Sequence, residues 1–141
     1  MTFWLFLHVS AIGVWIGCIA TEAIVEHSVG TGTDRDYVAA VHWPIDVYVE
    51  IPAFILVTIS GAALWRAVPS DGAVALMAVA GLLAAGCNVA CVWVVRARRQ
   101  ARRNADASAY ERLDHLQHRL GAVLGVLIAA ALGLGIYRLA G

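Results

Sequence analysis

Four long apolar stretches dominate this chain and restrict the folds open to it. They cover residues 3–27, 44–65, 73–95 and 119–137. A helix needs about 20 apolar residues to cross the hydrocarbon layer of a membrane, so each stretch is long enough for one crossing. Because 61% of the residues are hydrophobic and only 14% are charged, the composition is typical of integral membrane proteins. The sequence therefore predicts an all-α protein with four membrane-spanning helices.

The first apolar stretch has the features of a span that remains in the protein. It lacks a basic start and carries Glu22 and Glu26 near its end. It is also longer than the apolar core of a signal peptide. We therefore expect residues 3–27 to form the first span and not a cleaved leader.

The connections between the spans predict a single domain covering residues 1–141. Only "SVGTGTDRDYVAAVH" and "RRNADASAYERLD" are polar connections of any length. Short connections favour antiparallel neighbours, and the many small residues of spans three and four allow close helix packing. We expect a compact up-and-down four-helix bundle in contact with the lipid bilayer, and a homo-oligomer is compatible with its small size.

Arginines indicate how the bundle is oriented, since lysine is absent from the chain. The residues that flank or fill the third connection are Arg96, Arg98, Arg99, Arg102, Arg103, Arg112 and Arg119. Basic residues next to spans stay in the cytoplasm, which predicts non-cytoplasmic chain ends and a multi-pass protein of a bacterial-type inner (plasma) membrane. An arginine-rich connection is also compatible with anionic lipid or nucleic acid. We interpret it as a topology signal and assign no nucleic-acid partner.

Ionisable residues within the spans point to function, because such side chains are costly in hydrocarbon and usually mark a site or a pathway. Span one ends in "TEAIVEH", span two begins with "HWPIDVYVE", span three carries "CNVAC", and span four is entered through "ERLDHLQH". In a bundle of antiparallel spans, all four segments lie in the cytoplasmic half.

Spacing within these segments places the polar residues on single helix faces. Residues three or four positions apart share a face. The sets of this kind are Glu22 with Glu26, His42 with Asp46 and Glu50, and His115 with His118. Carboxylates gathered in one volume repel each other, so either most of them are protonated or a cation lies among them.

The leading hypothesis is a divalent metal site. Carboxylates and imidazoles from several helices supply the ligands of two-metal sites in four-helix bundles. Mixed oxygen and nitrogen ligands suit iron, zinc or manganese. The predicted metal ligands are Glu22, Glu26, His42, Asp46, Glu50, Asn88, His115 and His118. On this hypothesis the protein is a metalloprotein and a metal-dependent oxidoreductase acting on a membrane-accessible substrate.

Two further interpretations of these residues stay open. The histidines are also compatible with positions wetted by lipid headgroups, and Asn88 with a hydrogen bond between helices. Glu22 and Glu50 would equally serve a cation or proton transporter by alternating between protonated and cation-bound states.

Two short motifs carry a family resemblance. "HVSAIGVWIG" places His8 seven residues before Trp15, and "PAFILVTISG" runs from Pro52 to Gly61. Together with the four-span layout, they resemble the HemJ-type protoporphyrinogen oxidases and the wider CopD-like four-helix membrane proteins of bacteria. The resemblance implies haem b binding with His8 as axial ligand, and electron transfer or porphyrin oxidation as the activity.

Overall fold

The computed structural model describes residues 2–28, 41–69 and 71–140, and these ranges are helical apart from short connections. The helices are α1 Thr2–Ser28, α2 Val41–Ala67, α3 Gly72–Arg103 and α4 Ala107–Ala140. Each contains a segment long and apolar enough to span a membrane. The predicted all-α class with four candidate spans is therefore confirmed.

The ends of α3 and α4 follow from local capping chemistry. Asp71 precedes α3, and its Oδ1 accepts a hydrogen bond from the Val74 backbone N–H at 2.9 Å. Ala105 has a left-handed backbone with φ of 55°, and Asp106 then accepts from the Ala109 backbone N–H at 2.9 Å. A carboxylate that satisfies an N–H of the first helical turn fixes where the helix begins. The chain consequently turns back between α3 and α4 within a few residues.

α3 and α4 form a hairpin and share the most extensive helix contact among the described residues. Near the start of α3, the Arg138 guanidinium lies 3.2 Å from the Asp71 carboxylate. At the opposite end, Arg98 lies 2.7 Å from Asp114. Because the start of α3 meets the end of α4, these two helices run antiparallel along their length.

Close packing of α1 on α2 depends on small residues. The His8 ring of α1 has its Nδ1 3.1 Å from the Val57 carbonyl oxygen and 3.0 Å from the Ser60 hydroxyl. A methyl group added at Gly61 would lie 3.2 Å from the His8 ring. Glycine at this position therefore allows the ring to approach the α2 backbone.

The centre of the fold is built from all four helices around one tryptophan. Trp15 is only 2% exposed, and its ring centre lies 6.1 Å from that of Phe54. The buried apolar residues that pack with Trp15 are Ala53, Ala84, Leu124 and Ile128. This cluster fixes α1 against the other helices beside Asn88, which accepts a hydrogen bond from Trp15.

The outer surface is strongly apolar. Large side chains such as Phe6, Leu82 and Val126 are exposed, although a water-soluble protein of this size would bury most such residues. The pattern is compatible with contact between the helices and a lipid bilayer.

Candidate functional site

An acidic cluster lies between α1 and α2, within the candidate spans. Glu22 of α1 and both Asp46 and Glu50 of α2 each present a carboxylate oxygen, and these oxygens lie within 4.8 Å of one another. Asp46 and Glu50 are 3% and 4% exposed, and Glu22 is half-buried. Three of the residues predicted as metal ligands thus come together in the fold.

A widened helical turn positions the two acids of α2. From Asp46 to Glu50 the helix has π geometry, and the Ile51 backbone N–H donates to the carbonyl of Asp46, five residues earlier. Pro52 follows immediately and has no N–H to donate to the carbonyl of Tyr48, which an α-helix would require. Single π turns inside α-helices are frequent at functional sites. The turn has Asp46 at its start and Glu50 at its end, and both side chains are buried.

Asn88 and Trp15 lie next to the acidic cluster and contact each other. The Trp15 indole Nε1–H donates to Asn88 Oδ1 at 3.1 Å, and both side chains lie beside the Glu50 carboxylate. Asn88 is completely buried. The predicted hydrogen bond between helices is present, and it holds the Asn88 amide beside Glu50.

Trp15 is the main residue of this site that the polar pattern of the sequence missed. It lies seven residues before Glu22, so two helical turns place both on the same face of α1. Its position on the same helix face as Glu22, a predicted ligand, is the signal in the sequence that could have indicated Trp15.

His42 is a further buried polar residue of α2. It is 2% exposed and lies one turn before Asp46, close enough to influence its charge. Its burial contradicts the alternative of a headgroup-wetted position. His42 is not one of the three residues whose ligand atoms converge within 4.8 Å.

The histidines of α4 and the axial histidine of the haem hypothesis are not among the three clustered residues. His115 and His118 of α4 are exposed, and His118 Nδ1 lies 2.8 Å from the Asp114 carbonyl oxygen of its own helix. Neither belongs to the acidic cluster, and their assignment as ligands stays a prediction. The side chain of Glu26 lies outside the described part of the structure. His8 is fourteen residues before Glu22, about 21 Å away along α1.

The electrostatics of the cluster set its chemistry. The nearest charged groups around Asp46 include Glu22 and Glu50, so like charges meet in a buried volume. Such a cluster is stabilised when some of the carboxylates are protonated or when a cation lies among them. The arrangement can therefore take up a cation, exchange a proton, or do both.

A second buried charge lies in the α3–α4 hairpin. Arg98 is 5% exposed and pairs with Asp114 at 2.7 Å. It also donates to the Tyr110 hydroxyl at 3.0 Å and to the Gln117 side-chain oxygen. The sequence pattern placed Arg98 among the topology arginines, whereas in the fold it is a structural residue inside the hairpin.

Comparison of the chain with known protein families, curated proteins and solved structures gives no match. The fold and the site nevertheless define a class, which is that of a multi-pass membrane protein with a carboxylate cluster buried among its candidate spans.

Proposed function

We propose that this protein is an integral membrane metalloprotein that binds a divalent cation between Glu22, Asp46 and Glu50. The observation that carries this proposal is the convergence of three carboxylate oxygens within 4.8 Å. A cation among them offsets their mutual repulsion and the cost of burying their charge. Cation binding would therefore explain why three acids lie between apolar helices.

The donor set favours particular metals. Carboxylate oxygens suit hard or borderline cations, and the nearby His42 imidazole would add a nitrogen donor that suits iron, zinc or manganese. Trp15 would act through Asn88, since its indole N–H fixes the amide beside Glu50. A redox-active ion such as iron would make the protein a metal-dependent oxidoreductase, whereas zinc would supply Lewis-acid chemistry only.

The proposed setting is an up-and-down bundle in a bacterial-type inner membrane, with both chain ends on the non-cytoplasmic side. It is supported by the distribution of arginines, which concentrate around the turn between α3 and α4. In this orientation the acidic cluster lies in the cytoplasmic half of the bundle.

Metal content of the purified protein tests the proposal. We expect roughly one or two equivalents of a first-row metal in protein purified in detergent from metal-replete cells, as elemental mass spectrometry would measure. Glu22→Gln and Glu50→Gln should each lose most of this metal. Glu111→Gln is the matched control, because Glu111 is an exposed acid of α4, and it should retain the metal. Equal metal content in all of these proteins would overturn the proposal.

A haem protein is the second candidate, and one observation favours it. The His8 Nδ1 lies 3.1 Å from the Val57 carbonyl oxygen. A hydrogen bond of this kind orients the ring of a metal-ligating histidine. This candidate predicts a Soret band that His8→Ala abolishes and Glu50→Gln leaves unchanged. The HemJ-type resemblance would then extend to function.

Transport is the other use that a membrane-embedded carboxylate cluster allows. Purified protein in liposomes distinguishes it from a closed metal site. Cation or proton flux that disappears in Glu50→Gln and persists in Glu111→Gln would assign a transporter. Metal retention without flux would leave the metalloprotein as proposed.

A further inference from the structure

An apolar groove separates α2 from α3 on the outer surface of the helices. Ile51 and Phe54 form its α2 wall, and Val89 and Val92 form its α3 wall. The groove has a volume of about 320 Å³, which is in the range of small-molecule sites in proteins. None of the three clustered acids lines it, so the groove is distinct from the proposed metal site.

One end of the groove is aromatic and basic. Trp43, Trp93 and Arg96 line it there. The Arg96 guanidinium lies 6.0 Å from the centre of the Trp93 ring, and the Arg99 guanidinium lies 5.0 Å from that of Trp43. Cation–π contacts at these distances hold both guanidinium groups beside the groove. Tryptophan is enriched where a span meets the headgroup layer, which places this end at the membrane surface.

The arginines at the groove differ from the buried arginine of the hairpin. Arg98 is neutralised inside the protein by Asp114 at 2.7 Å. Arg96 and Arg99 instead stack on tryptophan rings, which hold a cation without cancelling its charge. They are three residues apart on α3 and therefore share a face. Two positively charged side chains therefore lie at one end of the apolar groove.

We propose that this groove binds an anionic phospholipid of the surrounding bilayer. One acyl chain lies between the walls of α2 and α3, where a membrane offers hydrocarbon and not water. The phosphate lies between Arg96 and Arg99, because guanidinium groups recognise phosphate through paired hydrogen bonds. Basic pockets between spans on the cytoplasmic side bind anionic headgroups in this way.

The experiment is native mass spectrometry of the detergent-purified protein with phosphatidylglycerol or phosphatidylcholine of identical acyl chains. We expect the anionic lipid to bind about ten- to thirty-fold more tightly, which corresponds to two arginines at the headgroup. The variant Arg96→Gln/Arg99→Gln should lose this preference. The control Arg103→Gln/Arg112→Gln removes the same charge from exposed positions outside the groove and should keep it.

A second variant tests the acyl-chain half of the proposal. Val89→Trp fills the groove while leaving Arg96 and Arg99 in place, so it should weaken binding of both lipids. Equal binding of the two lipids by the unmodified protein would overturn the proposal and indicate ordinary surrounding lipid. Loss of preference in the Arg103→Gln/Arg112→Gln control to the same extent would also overturn it, since any arginine near the membrane surface would then suffice.

Discussion

Two buried charged regions among the described residues differ in how their charges are neutralised. Arg98 is surrounded by Asp114, Tyr110 and Gln117, which supply a counter-charge and two hydrogen-bond acceptors. In the acidic cluster, Asp46 and Glu50 have further carboxylates among their closest polar neighbours. The Arg98 guanidinium pairs with a carboxylate of the same hairpin, whereas the three clustered acids place carboxylates next to one another.

This difference distinguishes a structural ion pair from a cluster that can bind a proton or a cation. A buried arginine that pairs with a carboxylate and donates two further hydrogen bonds is stabilised by the protein itself, and removing its partner is costly. A cluster of like charges is unstable by itself and becomes stable when a proton or a cation enters. The comparison therefore supports the proposal that the functional chemistry lies between α1 and α2, and it assigns the structural charge to the α3–α4 hairpin.

The largest effect on stability is expected from Arg98→Met. This substitution leaves Asp114 without its counter-charge and Tyr110 without its donor, at a cost of about 3–5 kcal/mol in the free energy of unfolding. Tryptophan fluorescence during thermal unfolding in detergent should show a clearly lower midpoint.

Two further variants isolate the ion pair. Arg98→Met/Asp114→Leu replaces the pair by apolar groups and should recover most of the lost stability. Arg112→Met removes an exposed arginine and should change the midpoint little. Equal stability of Arg98→Met and the unmodified protein would contradict the structural role of Arg98.

Removing a charge from the acidic cluster should raise the stability of the protein when metal is absent, whereas removing the Arg98 charge lowers it. In the presence of a chelator, Asp46→Asn removes one of the like charges and should raise the unfolding midpoint. A double-mutant cycle with Glu50→Gln should show a coupling of about 0.5–3 kcal/mol between the two acids. With metal restored, the same variant should gain less stability from the metal than the unmodified protein does. Destabilisation by Asp46→Asn under both conditions would show a structural carboxylate.

A smaller effect is expected from Pro52→Ala, which tests the geometry of the cluster. Alanine restores the N–H that can donate to the Tyr48 carbonyl, so the π turn should revert to regular α-helix. Asp46 then shifts relative to Glu50, and the affinity for Mn²⁺ or Zn²⁺ in a calorimetric titration should fall about tenfold. Pro44→Ala, an exposed proline outside the widened turn, is the control. Unchanged affinity in Pro52→Ala would show that the turn does not position the ligands.

The smallest effect belongs to an acid at the water-exposed end of the hairpin. The hydrogen bond from the Val74 backbone N–H, with a smaller contribution from Arg138, lowers the pKa of Asp71 below its ordinary value of 3.8. A lowered folded-state pKa stabilises the protein above the unfolded-state value, and this contribution disappears as the pH falls through the folded-state pKa. The difference in unfolding midpoint between the unmodified protein and Asp71→Asn should therefore shrink on acidification below pH 3.8. A difference independent of pH would show that the carboxylate charge contributes nothing.

Much of the fold could be predicted from the sequence because its causes are local. The number of spans follows from the length of each apolar stretch. The capping acids Asp71 and Asp106 mark where α3 and α4 begin, since each accepts a hydrogen bond from its own first turn. The stripe of His42, Asp46 and Glu50 follows from residue spacing alone, and its members are indeed buried together on one side of α2.

The partners of that stripe were decided only by the tertiary structure. Spacing along one helix states which residues share a face, but it does not state towards which neighbouring helix the face turns. The sequence offered both Glu22 of α1 and the histidines of α4 as ligands, and the packing of α1 on α2 brought Glu22 to the acids. The hydrogen bond from Trp15 to Asn88 joins residues 73 positions apart, so no local pattern encodes it.

The sequence by itself determined the helices and their polar faces, because hydrophobic length and helical period are properties of a single segment. Only side-chain packing between segments determined the site, because the rotation of each helix depends on how all of them fit around Trp15.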